Sequence, residues 1–314
     1  LDCGLENNVS ISETLLLSIR NPQSKIRNSF MTPAGKLLML EARRRFAQLV
    51  AQPDASIELA HAALLVAAEE KPGLDVEHYR AQLYELGLTA RERLARNNDA
   101  ENPVVAFNKF VFEELGFAGN QTDYYDPRNS LLSDVLERRT GIPITLSVVY
   151  MELGRRAGLR VEGIGLPGHF IVRAGVAEGE PVLVDPFNGK IVDAEDCQER
   201  LDTIYGGQAP LRDAHLRPVA TREILARMLR NLKGIYAQAG LYRRALSIIE
   251  RILLVAPDSI EERRDRAALL AQLGRYSEAI RDVQAYLKQA ADTPDAERVR
   301  EQLQKMQAQQ ARLN

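Results

Sequence analysis

The sequence predicts an α+β protein built from an N-terminal helical domain, a core of one helix packed on an antiparallel sheet, and a C-terminal segment of helical repeats. Three observations predict it. From Thr32 to Leu115 apolar residues recur at spacings of three, four and seven, the period of an amphipathic helix. Over residues 159–187 Val- and Ile-rich runs lie between Gly and Pro signals, as strands do. Beyond Arg222 several residues return at one fixed offset, which marks a repeat.

In chain order, residues 1–31 come first, and they lack the basic start and small-residue cleavage site of a signal peptide. Met31 stands just before Thr32-Pro33, an N-cap and first-turn pair. Met31 is therefore read as the natural start, with residues 1–30 either translated upstream sequence or a flexible arm; the alternative is an ordinary helical N-terminal extension. The helical domain is expected over residues 32–116. Its helices are marked by Ile57, Ala60 and Leu64, by Val76, Tyr79, Leu83 and Leu86, and by Val104, Phe107, Val111 and Leu115. Pro53-Asp54, Lys71-Pro72-Gly73 and Asn97–Pro103 punctuate them. His61 and His78 have no carboxylate or cysteine at ligand spacing and read as surface or core histidines.

The core is expected over residues 117–221. Asn120–Arg128, rich in Asp and Tyr, reads as a loop leading to a short helix capped by Ser130. Pro143 opens a second helix whose buried stripe is Leu146, Val149, Leu153 and Ala157, and Gly158 ends it. Three strands follow within Leu159–Leu166, His169–Val176 and Pro181–Phe187. Residues 222–314 form the repeat segment. Gly240 and Gly274, Tyr242 and Tyr276, and Ala245 and Ala279 are each 34 residues apart, the period of a tetratricopeptide helix pair. Two such units and a final helix from Ala296 are too few for a free-standing solenoid and are expected to pack on the preceding core.

Composition excludes several function classes. With 45% hydrophobic and 27% charged residues the chain is of the ordinary globular kind. A net charge of −2 gives no general pull toward nucleic acid or an anionic membrane. The apolar runs Leu15-Leu16-Leu17 and Ala62–Ala68 are too short to span a bilayer. Cys3 and Cys197 make no CxxC pair and no zinc-like spacing with histidine, so no metal or cofactor is expected and a reducing cytoplasm is the simplest setting.

The chemistry-bearing residues lie between 129 and 188. A helix opens at Gly141-Ile142-Pro143, His169 stands at the start of one strand and Asp185 at the end of the next. Thiol acyl-transfer enzymes of the transglutaminase-like and papain-like kinds use cysteine, histidine and a carboxylate in that chain order. The sulfur needs a helix N-terminus and a neighbouring imidazole to hold it as thiolate. Here the first position is Pro143, which offers neither a heteroatom nor an N–H. Ser147 is about 6 Å deeper along the helix and Thr145 points about 200° away; Thr140 lies in the preceding turn. As nucleophiles these hydroxyls are weak alternatives, because they need a closely placed base. Cys197, after the sheet and before a helix, reads as a buried structural thiol. Antiparallel neighbours are expected to bring His169 and Asp185 together, the carboxylate to raise the imidazole pKa, and a cysteine placed at 143 to be unusually reactive.

The motifs Tyr124-Tyr125-Asp126-Pro127-Arg128-Asn129-Ser130, Leu136–Ser147, Pro167-Gly168-His169-Phe170 and Asp185-Pro186-Phe187-Asn188-Gly189 resemble the bacterial SirB-type transglutaminase-like/tetratricopeptide family. The resemblance runs from about Thr32 to the C-terminus. It implies a transglutaminase-like (papain-like) core in which His169 and Asp185 match the triad histidine and aspartate, while Pro143 stands where the cysteine does. In the SirB-type group that proline is the usual residue, so the resemblance implies the fold rather than transglutaminase or protease activity. Asn129, Glu137, Arg138 and Arg139 lie beside the helix start. They either tie the short helix to the core by salt bridges or line a groove and bind a carboxylate or peptide. His215 has no evident partner and reads as structural.

The leading expectation is a non-catalytic transglutaminase-like protein, a protein- or peptide-binding regulatory module with no nucleic-acid or membrane partner. The alternative is a hydrolase or acyltransferase that uses His169 and Asp185 with a non-cysteine nucleophile or an activated water.

Overall fold

The computed structural model describes residues 32–96 and 102–313; the readings of residues 1–31, of Cys3 and of Asn97–Glu101 lie outside them. The described chain forms two compact units, residues 32–228 and 229–313, and the division falls inside one helix.

The first unit begins with α1 (Pro33–Val50), for which Thr32 Oγ1 accepts from Gly35 N at 3.1 Å and Pro33 fills the first turn. Its buried stripe is Ala42, Phe46, Leu49 and Val50. Helix α2 (Leu59–Glu70) is buried nearly all round because it packs against α1, α3 (Val76–Arg96), α5 (Leu132–Arg138) and α6 (Pro143–Arg156). That position explains the apolar run Ala62–Ala68 as a central core helix. On α3, Val76, Tyr79, Leu83, Gly87 and Ala90 are buried; Leu86 is only partly buried, and Gly87 takes its place on the core face. Helix α4 (Pro103–Asn108) continues into a π-helical turn, Lys109–Glu114, which breaks the period expected to carry Leu115 into the core.

Strand β1 (Ala118–Gly119) pairs in parallel with β2 (Thr140–Gly141). Between them Pro127–Ser130 is a 3-10 turn capped by Asp126, and α5 starts at Leu132 with Leu131 as N-cap. Ser130 does not cap it: its buried Oγ has no hydrogen-bond partner among the described residues. Helix α6 buries the expected Leu146, Val149, Leu153 and Ala157 and packs on β3 (Arg160–Ile164) and β4 (Ile171–Gly175). Gly158, at φ 92°, turns the chain into β3.

The sheet is an antiparallel meander, β3-β4-β5-β6, with β5 Val182–Asp185 and β6 Lys190–Val192. It has one strand more than the sequence reading, because β6 is too short to show alternation. A second difference concerns α7 (Ala194–Tyr205). Asp193 Oδ1 accepts from Asp196 N and Asp196 Oδ2 from Asp193 N, a reciprocal capping box. The helix therefore starts before Cys197 and carries it as an internal residue.

Helix α8 (Thr221–Gln238) spans the division between the units. In the second unit α9 (Tyr242–Val255), α10 (Ile260–Gln272), α11 (Tyr276–Gln289) and α12 (Ala296–Leu313) follow. Gly240 and Gly274 occupy the same left-handed turn, at φ 70° and 71°, which other residues adopt at a cost. Ala245 and Ala279 are fully buried, because a small residue there lets neighbouring helices approach. The 34-residue offset is thus a repeat of structure.

Candidate functional site

A turn and a strand end build the site. Pro167 and Gly168 are the central residues of a turn closed by His169 N donating to Leu166 O at 2.9 Å, with Gly168 at φ 68°; these are the features of a type II turn. His169 therefore leaves the turn ahead of β4 and is not its first residue. Asp185 closes β5 and accepts from Phe187 N (3.0 Å), Asn188 N (3.3 Å) and Asn188 Nδ2 (2.7 Å). The motif Asp185-Pro186-Phe187-Asn188 thus folds back on its own carboxylate.

His169 Nε2 lies 2.9 Å from Asp185 Oδ2, both side chains buried. The carboxylate stands off the ring N–H direction, so the contact is electrostatic rather than an aligned hydrogen bond. Nδ1 makes no hydrogen bond among the described residues. Burial pushes the imidazole pKa down; Asp185 opposes that, Arg200 and Arg227 add to it, and the net shift is downward. This corrects the expectation of a raised value, because desolvation outweighs the pairing. Burial pushes Asp185 up, but His169, Asn188 and Arg200 outweigh it and hold the carboxyl at about 2. Near neutral pH the pair is a neutral imidazole beside a carboxylate.

A cavity of about 510 Å³ opens beside the pair, lined also by Leu166, Ile171, Cys197 and Arg200. Helix α7 forms one wall. Cys197 is a buried free thiol, pushed to about 11 by burial and by Asp196 and Asp185, so it is uncharged and unreactive at neutral pH. Sequence reasoning missed Arg200 and separated Cys197 from the site. The signal was Asp193-x-x-Asp196 as a helix start, which puts Cys197 and Arg200 three apart on one face.

Pro143 is buried at the first turn of α6, between the buried Ile142 and Ile144, and does not line the cavity. The hydroxyls around it face backbone groups. Thr145 Oγ1 lies 2.7 Å from Asn129 O and accepts from Ile142 N at 3.1 Å. Thr140 Oγ1 donates to Arg138 O, and Ser147 Oγ lies 3.5 Å from Phe170 O.

Asn129, Glu137, Arg138 and Arg139 do not line the cavity either. Asn129 is fully buried; its Nδ2 donates to Asp123 O and Tyr124 O, and its Oδ1 accepts from Asn120 and Arg138. Glu137 accepts from Tyr79 Oη. Arg138 also stands 3.5 Å from Asp126. Arg139, at φ 56°, ends α5 and lies over the Phe117 ring. The Asn129 and Arg138 contacts thus tie residues 120–138 to one another, while Glu137 and Arg139 reach Tyr79 and Phe117 outside that stretch. His215 Nδ1 accepts from Arg212 N in a surface turn.

Residues 77–230 match the model of the transglutaminase-like superfamily and residues 232–304 that of the tetratricopeptide repeat. The chain is 39% identical over 251 residues to a UPF0162 protein of Xylella fastidiosa, covering 79% of this chain and 89% of that one. The chain belongs to the UPF0162 family. A second member of the family, from Vibrio cholerae, is 31% identical, covering 79% of this chain and 92% of that one. F-box only protein 21 of Pongo abelii is 29% identical over 58% of this chain and 30% of its own length. No solved structure matches. This UPF0162 chain is thus a transglutaminase-like core followed by tetratricopeptide repeats, which generally mediate protein–protein interaction. Among the described residues no helix is long and apolar enough to cross a membrane.

Proposed function

We propose that this UPF0162 protein is a non-catalytic transglutaminase-like protein that binds a protein or peptide partner in the cytoplasm through its cavity and its repeats. Pro143 carries the reading. Thiol acyl transfer needs a thiolate at a helix N-terminus within reach of the imidazole, and that turn of α6 holds a buried proline flanked by isoleucines. The hydroxyls Thr140, Thr145 and Ser147 face backbone groups, and the Cys197 thiol stays protonated. The test is turnover of activated esters, peptide amides and a glutamine peptide with an amine, by wild type and by a folded His169→Gln variant. Equal, background-level rates are expected; activity that depends on His169 overturns the reading.

One observation favours a second reading, hydrolysis with water as the nucleophile. The neutral His169 has an unbonded Nδ1, its Nε2 faces an ionised carboxylate, and the residue lines a cavity of ligand size. The same comparison decides between the two.

A further inference from the structure

We infer that the cavity beside His169 binds the carboxylate of an aliphatic ligand, with Arg200 as its anchor. The inference deepens the binding reading above and rests on it only in that the ligand leaves unchanged.

Arg200 lies on α7 in the cavity wall with its side chain 23% exposed, and its one ion contact among the described residues is Asp185 Oδ2 at 3.6 Å. It makes no hydrogen bond among the described residues. A guanidinium carries five N–H donors in a planar fork that fits a carboxylate, and at the partly exposed Arg200 those donors stay open to solvent and to a ligand in the cavity. The neighbouring charges are already matched. Lys190 Nζ donates to Asp196 Oδ1 at 2.8 Å, Asp196 also accepts from Asp193 N, and Asp185 accepts the three donors from Phe187 and Asn188. Glu199 lies on the exposed rim.

The same acids select the ligand. Asp185, Asp196 and Glu199 line the cavity against Lys190 and Arg200, a balance that stays negative, so a dianion such as phosphate meets more repulsion than a single carboxylate, which gains the fork at lower cost. The rest of the ligand is apolar, because Leu166, Ile171, Val192 and Ile204 line the cavity and the first three belong to one buried cluster with Cys197. A volume of about 510 Å³ suits a drug-sized molecule or a short peptide end. The carboxylate comes either from a polypeptide C-terminus or from a free aliphatic acid.

The test is calorimetric titration of the full chain with three probes: an acetylated trileucine with a free C-terminus, the same peptide as its amide, and octanoate. The free-acid peptide is expected to bind, with the amide and the Arg200→Gln variant about tenfold weaker or more. Thr203→Trp, at an exposed lining position, is the second variant and should block the cavity. Octanoate as tight as the acid peptide assigns the site to free acids; a tighter acid peptide assigns it to C-termini. Equal binding of acid and amide, binding unaffected by both variants, or no binding of either acid at millimolar concentration overturns the inference. Mass spectrometry of the recovered peptide separates the two readings: cleavage sinks the non-catalytic reading while Arg200-dependent binding stands.

Discussion

His169 Nε2 and Asp185 Oδ2 stand 2.9 Å apart with each side chain only 3% exposed, although one residue leaves a turn and the other closes a strand. Such a pair in a dry setting is worth more electrostatically than on the surface and is costlier to charge. It borders a cavity that Pro143, at the helix start where a thiol enzyme keeps its nucleophile, does not line.

The buried imidazole predicts a pH dependence. Its folded pKa is lowered, by burial first and by Arg200 and Arg227 against Asp185, so below the ordinary value of about 6.5 the unfolded chain binds more protons than the folded one. Stability therefore falls as pH drops from about 6.5 toward the lowered folded value. Urea midpoints across this range should show a shallower slope for His169→Gln, and an NMR titration should place His169 below the ordinary value. A raised value would refute the burial argument. Asp185, held at about 2, adds stability that is complete above its unfolded value near 4 and is lost as pH falls through about 2.

Pro143→Cys should give a sluggish thiol. The position is buried between Ile142 and Ile144, and apolar burial opposes the lowering of a thiol pKa by a helix N-terminus. In a background lacking Cys3 and Cys197, alkylation at neutral pH should be no faster than that of a free cysteine. A markedly faster rate would restore the inherited acyl-transfer geometry and favour the enzymatic reading.

Gly168→Ala should cost about 1–3 kcal/mol. Gly168 is at φ 68°, a conformation that strains a residue with a Cβ, and that Cβ would also press on the Ile204 Cδ1 methyl, which has to swing aside. The urea midpoint measures the cost. Retention of the wild-type midpoint would show that the turn relaxes freely.

In the second unit Lys233→Met should destabilise by about 3 kcal/mol or more. Lys233 Nζ donates to Glu262 Oε2 at 2.8 Å and to Asp265 Oδ2 at 2.9 Å, with all three residues buried. Arg230 still reaches Glu262 and Arg264 stands 3.7 Å from Asp265, so what the variant removes is the buried cation that both acids share. Faster hydrogen exchange of α10 amides is the readout, and unchanged protection would contradict it.

Local chemistry made much of this protein legible from its sequence. Thr32-Pro33 starts α1, Pro167-Gly168 makes the turn ahead of His169, Gly158 ends α6, and Gly240 and Gly274 mark equivalent turns of the repeat. Each signal works through the φ, ψ and hydrogen bonds of a few consecutive residues. The motif carrying His169 and Asp185 was legible for the same reason. Tertiary structure alone decided that the imidazole is buried deeply enough for desolvation to outweigh its carboxylate, and that Pro143 lies away from the cavity. It also brought Cys197 and Arg200, on a helix after the sheet, to the wall beside His169. Solvent exclusion and wall-to-wall distance depend on residues far apart in the chain, and no local spacing encodes them.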